Sequence, residues 1–132
     1  MAIATNTALQ AKTISTSFTV NDLEQSMRFY EGLGFGVGEK WEENGAVVGV
    51  MMHAGDVEIG LNQDDWKKGR DRIKGLGMGV YIGTEQDIDQ LAARARDAGI
   101  TLQADPHDTP WGTRAFQVRD PDGFVLTISS DT

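Results

Sequence analysis

The sequence predicts an α+β fold: two tandem βαβββ modules forming curved mixed sheets around a cleft. Three observations predict it. Two short alternating stretches, TISTSFTV at 13–20 and GMGVYI at 77–82, each run into a stretch with apolar residues at helical spacing. Each helical stretch is followed by three strand-like runs separated by turn residues. The marks at the two helix ends recur at one spacing: Asp22-Leu23-Glu24 matches Asp87-Ile88-Asp89 and Gly34-Phe35 matches Gly99-Ile100, both 65 residues apart (87 − 22 and 99 − 34). A shared offset at both ends of a helix indicates internal duplication.

The first strand, 13–20, places Ile14, Thr16, Phe18 and Val20 on one face and Ser15, Ser17 and Thr19 on the other. Asn21 or Asp22 caps the first helix, which spans about 22–31, carries Leu23, Met27, Phe29 and Tyr30 inward and stops at Gly32 and Gly34. Strands follow at 36–43, 46–54 and 56–63. The segment 62–75 is charged, contains Gly and holds Trp66, so it is either a plain linker or a lid over the cleft. In the second half, Thr84 with Asp87 forms a capping box, Ile88, Leu91, Ala92 and Ala95 make the buried stripe, and Gly99 ends the helix. The remaining strands are 100–106, 113–119 and 123–130. Each module has one helix for one sheet face, so the other face is expected to close against the second module. The chain therefore divides into a flexible N-terminus at 1–12 and a single domain at 13–132. Within that domain, module one covers about 13–62, a connecting loop 63–75 and module two about 76–130.

Composition excludes several function classes. A chain of 132 residues supports one ordinary domain, and 39% hydrophobic with 24% charged residues is a globular balance. There is no Cys, which removes disulfides, thiolate catalysis and Cys-ligated metal sites. A net charge of −8 with scattered Lys and Arg opposes nucleic-acid binding. No apolar run is long enough to cross a membrane, and MAIATNTALQAK lacks the features of a signal peptide, so a cytoplasmic location is expected, without a membrane partner. The acidity reads first as solubility and second as a preference for a cationic ligand.

VNDLEQSMRFYEGLGF, the repeated module and PWGTRAFQVRDPDGFVLTI together resemble the vicinal oxygen chelate superfamily over about 13–130. That superfamily includes glyoxalases, extradiol dioxygenases and bleomycin-resistance proteins. Asp-Pro-Asp-Gly alone is simply a good turn sequence. In metal-dependent relatives, a divalent ion is held by His on the first strand and Glu on the last strand of each module. The resemblance puts Ser15, Gly60, Gly77 and Thr127 at those positions. None supplies the imidazole or carboxylate that such an ion needs. Neither histidine falls on a first strand: His53 precedes a turn at Ala54-Gly55-Asp56, and His107 lies in ADPHDTP.

The resemblance therefore implies no cofactor and no metal, and it weighs against an enzyme. Glu58 could face inward or outward on its strand, and Asp105 and Asp108 flank His107, but turn formation and solvation account for them. The expected ligand-binding set is Trp111, Arg114, Thr127, Ser15, Tyr81, Trp66 and Trp41: small polar walls with aromatic rims. Trp111 also reads as core or interface packing, Trp66 as loop packing and Arg114 as a surface ion pair. The metal-free bleomycin-resistance-like branch is the nearest functional resemblance. It implies a homodimer that sequesters a cationic or aromatic small molecule, such as an antibiotic or toxic metabolite. Two alternatives stay open: a glyoxalase-like lyase or isomerase with a nonstandard metal or acid–base site built on His53 or Glu58, and a non-binding scaffold.

Overall fold

The computed structural model describes residues 7–70 and 72–130, so the N-terminal segment expected at 1–12 lies partly outside the described residues. Module one comprises β1 (Thr16–Val20), α1 (Leu23–Leu33), β2 (Gly36–Glu43), β3 (Ala46–Ala54) and β4 (Val57–Gln63). Module two repeats it with β5 (Gly79–Thr84), α2 (Ile88–Asp97), β6 (Leu102–Asp108), β7 (Arg114–Arg119) and β8 (Val125–Ser130). Each module forms a four-stranded mixed sheet, ordered β1-β4-β3-β2 and β5-β8-β7-β6. In each, the first strand runs parallel to the last and the other pairs are antiparallel. The expected fold class is the observed one.

The duplication extends to hydrogen bonds. Asp22 Oδ1 accepts from Gln25 N–H and Asp87 Oδ1 from Gln90 N–H, both at 3.1 Å, placing a carboxylate where the helix N-terminus attracts negative charge. Asp87 is thus the cap of α2. The Thr84 capping box does not form, because Thr84 ends β5 and its hydroxyl accepts from the nearer Gln86 N–H at 3.2 Å. At the other ends, Phe35 N–H donates to Tyr30 C=O at 2.9 Å and Ile100 N–H to Ala95 C=O at 3.0 Å. Gly34, at φ 121°, permits the first of these reversals.

The core lies on the helix side of both sheets. Phe18 of β1 stacks on Phe124, just before β8, with ring centroids 4.0 Å apart and planes 7° from parallel. Tyr30, Leu33, Ile88, Ala92 and Ala95 from the helices, with Val50, Leu61, Phe116, Val118 and Leu126 from the sheets, complete a cluster spanning both modules. Each of its larger side chains contributes about 1.5–3 kcal/mol by burial. The modules also touch where Gly32 packs on Ala98 and Ile100. The helix-bearing faces therefore cover each other, whereas closure of the opposite faces by the second module was expected. Those faces stay open within one chain: Ser17, Glu58, Tyr81 and Gly83 are exposed on them.

The connection between modules is tied down at both ends. Asp64 is buried and paired with Arg72 at 2.6 Å and Lys74 at 2.9 Å; Lys74 also donates to Asn21 Oδ1. The Lys74 hydrogen bond first, opposed by burial, lowers the Asp64 carboxyl to about 2. Trp66 lies under Arg70 and Lys74, 4.7 and 5.3 Å from its ring centroid. Gly75 packs directly on the backbone of Gly123. No described helix is long and apolar enough to cross a membrane.

Candidate functional site on the open sheet faces

Side chains alternate along a strand, so the residues between the core positions of the central strands line the open faces. On sheet one, β4 Gly60 lies between β1 Ser17 and β3 Met51. On sheet two, β8 Thr127 lies between β5 Tyr81 and β7 Gln117. Each row is fixed by an amide on a hydroxyl: Asn62 Nδ2 donates to Ser17 Oγ, and Gln117 Nε2 donates to Thr127 Oγ1 at 2.9 Å. Thr127 is itself buried at 8% exposure, flanked by a Tyr81 that is 74% exposed.

The register corrects two positions. Ser15 lies outside β1, exposed, and Ser17 takes the place beside Gly60; Gly77 precedes β5 with φ 72°, and Tyr81 takes the place beside Thr127. Both strands start later than the alternation suggested, because pairing with β4 and β8 sets their first residues. The corrected row still offers two aliphatic hydroxyls, one phenol and a glycine. That donor set does not fit the divalent ion of metal-dependent relatives. Among the described residues, no three His, Cys, Asp or Glu side chains come together as a metal site.

Of the other expected residues, Trp41 and Trp111 are exposed and two are engaged elsewhere. Trp41 of β2 is 39% exposed and lies flat over Gly49, whose added Cβ would fall 2.0 Å from the indole. Trp111 is 72% exposed in the turn between β6 and β7, a turn closed by Thr109 N–H to Thr113 C=O at 2.7 Å. Arg114 is committed to Asp89 at 2.7 and 2.8 Å and to Asp108 at 2.9 Å. Trp66 is occupied by the linker cations.

His53 and Glu58 were named from the sequence, but their grouping with Glu39 was missed. His53 Nε2 lies 2.9 Å from Glu39 and its Nδ1 lies 3.7 Å from Glu58, all three on the open face of sheet one. The hydrogen bond with His53 is the first cause holding the Glu39 carboxyl below its usual range. The available signal was Gly38: a glycine inside a strand marks a close approach, and a Cβ there would lie 2.3 Å from the His53 ring. His107 is in β6, not a loop, and its Nδ1 meets the Asp105 backbone carbonyl at 2.8 Å. Asp105 and Asp108 do not pair with His107 through their carboxylates; they serve Arg96 and Arg114.

Solved structures share this architecture. TioX from Micromonospora sp. ML1 superposes with a TM-score of 0.74 at 17% identity, covering 92% of this chain and 100% of that one. UcmS2 gives 0.73 at 23% identity over 92% and 98%. A glyoxalase/bleomycin resistance protein/dioxygenase family enzyme from Burkholderia phytofirmans PsJN gives 0.70 at 19% identity over 89% and 97%. At these identities the likeness establishes fold. No curated protein matches significantly in sequence. The family model described as Glyoxalase/Bleomycin resistance protein/Dioxygenase superfamily matches residues 12–128, nearly the whole chain. With its two βαβββ modules and open-faced sheets, the chain belongs to that superfamily.

Proposed function

We propose that this protein is a metal-independent, cytoplasmic small-molecule-binding homodimer that sequesters an antibiotic or toxic metabolite. The observation that carries the reading is the row Ser17–Gly60 and Tyr81–Thr127, made of hydroxyls and glycine where chelating relatives hold imidazole and carboxylate. Hydroxyls already hydrogen-bonded to Asn62 and Gln117 bind and orient a ligand; they lack a base to make them nucleophiles.

The dimer follows from the open faces. Sheet one of one protomer laid against sheet two of its partner, repeated by a two-fold axis, gives two identical clefts and covers Trp41 and Tyr81. Such a cleft joins aromatic surfaces to the carboxylates Glu39 and Glu58, which suits a cationic aromatic ligand. Trp41, Tyr81, Trp111 and Thr127 form the contact set. Arg114 and Trp66 leave it because their charges and ring face are already matched.

Tryptophan quenching against a panel of cationic aromatic compounds that includes bleomycin tests this reading. Saturable quenching with ligand recovered unchanged, dimers in sedimentation and a 2- to 10-fold loss of affinity in Tyr81→Ala are expected, on the basis of about 0.5–1.5 kcal/mol per aromatic contact. Turnover, or stoichiometric bound metal lost together with an activity, overturns it. The acid–base lyase or isomerase reading has one favourable observation, the imidazole held between Glu39 and Glu58, and it requires product that disappears in His53→Ala.

A further inference from the structure

A cavity of about 490 Å³ lies between the modules, reaching Gly83 near the end of β5. Its walls are apolar: Leu33 and Phe35 come from module one, and Ile82, Leu91, Phe116 and Ile128 from module two. Its rim carries two charges, Asp56 in the turn between β3 and β4 and Arg94 on α2. Neither makes a side-chain hydrogen bond or ion pair among the described residues, and they do not pair with each other. The neighbouring Arg96, by contrast, reaches Asp105 at 2.7 Å, and Arg114 is held by two carboxylates.

The volume is that of a small-ligand site, and the walls would desolvate an apolar body. The rim decides the charge. A simple organic acid would meet Asp56 and a simple amine would meet Arg94, each with a like charge beside it. A molecule carrying both an ammonium and a carboxylate meets neither penalty, and the guanidinium fork is shaped to take the carboxylate. We propose that this inter-module pocket binds a short apolar zwitterion of the hydrophobic dipeptide class, with its carboxylate on Arg94 and its ammonium on Asp56. Because the walls come from both modules, the bound molecule bridges them, and binding the folded state alone stabilises the whole chain. The inference is independent of the open-face reading.

Calorimetry and thermal unfolding of the full chain with leucyl-phenylalanine, its N-acetyl form and its C-terminal amide test it. The free dipeptide should bind and raise Tm by a few degrees at saturation. Each blocked form should bind about 10-fold more weakly or worse, the loss of one charge-assisted hydrogen bond. Arg94→Ala and Asp56→Asn alter exposed side chains and should leave folding intact. Arg94→Ala should bind the free dipeptide and the amide equally, and Asp56→Asn should bind the free and N-acetyl forms equally. Absence of dipeptide binding at millimolar concentration, equal affinity of the unaltered protein for all three compounds, or affinity unchanged in both variants overturns the proposal.

Discussion

The two modules copy each other on the helix side and differ on the open side. Caps and helix terminators repeat at an offset of 65 residues (87 − 22), down to matched hydrogen bonds of 3.1 Å at both N-caps, and the strand order repeats with them. The open faces share only the pattern of an amide on a hydroxyl. Module one adds Trp41 over Gly49 and the Glu39–His53–Glu58 cluster. Module two has Arg119 and Val125 at the rows where module one has His53 and Glu58. Core positions answer to packing, which any duplicate must satisfy. Open-face positions answer to whatever binds there, and that is where the copies have diverged. The turns diverge as well: module two turns through Asp120-Pro121-Asp122-Gly123 before β8, and module one has only Gly55-Asp56 before β4.

The longer turn gives module two a junction that module one lacks, and Gly75→Ala breaks it. A Cβ at Gly75 would lie 2.1 Å from the Gly123 carbonyl carbon and 2.4 Å from Phe124 N, and backbone atoms do not rotate away. The loss should reach about 3 kcal/mol in urea denaturation. Gly79→Ala, whose Cβ would meet nothing nearer than Tyr81 Cε1 at 3.8 Å, should stay within about 0.5 kcal/mol. Equal losses for the two would mean that the close contact of Gly75 with Gly123 is not what holds the connecting loop to module two.

Tyr30→Phe should have the next largest effect. Tyr30 of module one donates its hydroxyl to Asp120 of module two at 2.8 Å, and the residue at the same offset in module two is the small Ala95. Asp120 also accepts from the N–H groups of Asp122 and Phe124, each at 2.9 Å. Burial raises its carboxyl above the usual range, with the Tyr30 hydroxyl pulling against that rise; burial and Asp120 together push the phenol up. Losing the donor should cost about 1–3 kcal/mol at neutral pH. The raised folded pKa means that protonation favours the folded state below the unfolded pKa, an advantage lost as pH rises through the folded value. Removing the donor raises the folded pKa further, so the variant's deficit should shrink as pH falls through the two folded values, both above the ordinary aspartate range. A deficit that stays constant across pH would place the energy elsewhere.

Much of the fold was legible because it is written in local terms. Asp22, Gly34 and Gly99 mark helix ends by chemistry that needs no partner, and the strand runs at 36–43 and 46–54 end where turn residues force them to. Thr127 was placed on its strand by the family resemblance that carries the Asp-Pro-Asp-Gly turn. Ser17 was not legible, and Tyr81 was expected as a rim aromatic and not as the neighbour of Thr127, because the start of an edge strand is decided by its neighbour's register. Which sheet faces meet was also hidden: a module with one covered face is satisfied equally by either arrangement until Phe18 finds Phe124. The cluster around His53 depends on β2 meeting β3 across two irregularities in their register, which Gly38 marks as a close approach without naming the partner.

The smallest expected effect probes that cluster and sharpens the contrast between the open faces. Glu39 is held below the usual carboxylate range first by its hydrogen bond with His53, at 2.9 Å. A depressed folded pKa contributes stability that is present above the unfolded pKa and is lost as pH falls through the folded one. Glu39 is exposed, so solvent screens the pair and the contribution to stability is slight. The effect belongs to titration: in His53→Ala, carboxyl-carbon NMR should show the Glu39 midpoint moving up toward that of an ordinary glutamate. Arg119→Ala, at the matching row of module two, should leave that midpoint where it was. Should Glu39 stay put in His53→Ala, or move equally in both variants, the imidazole is not what sets the charge of module one's open face.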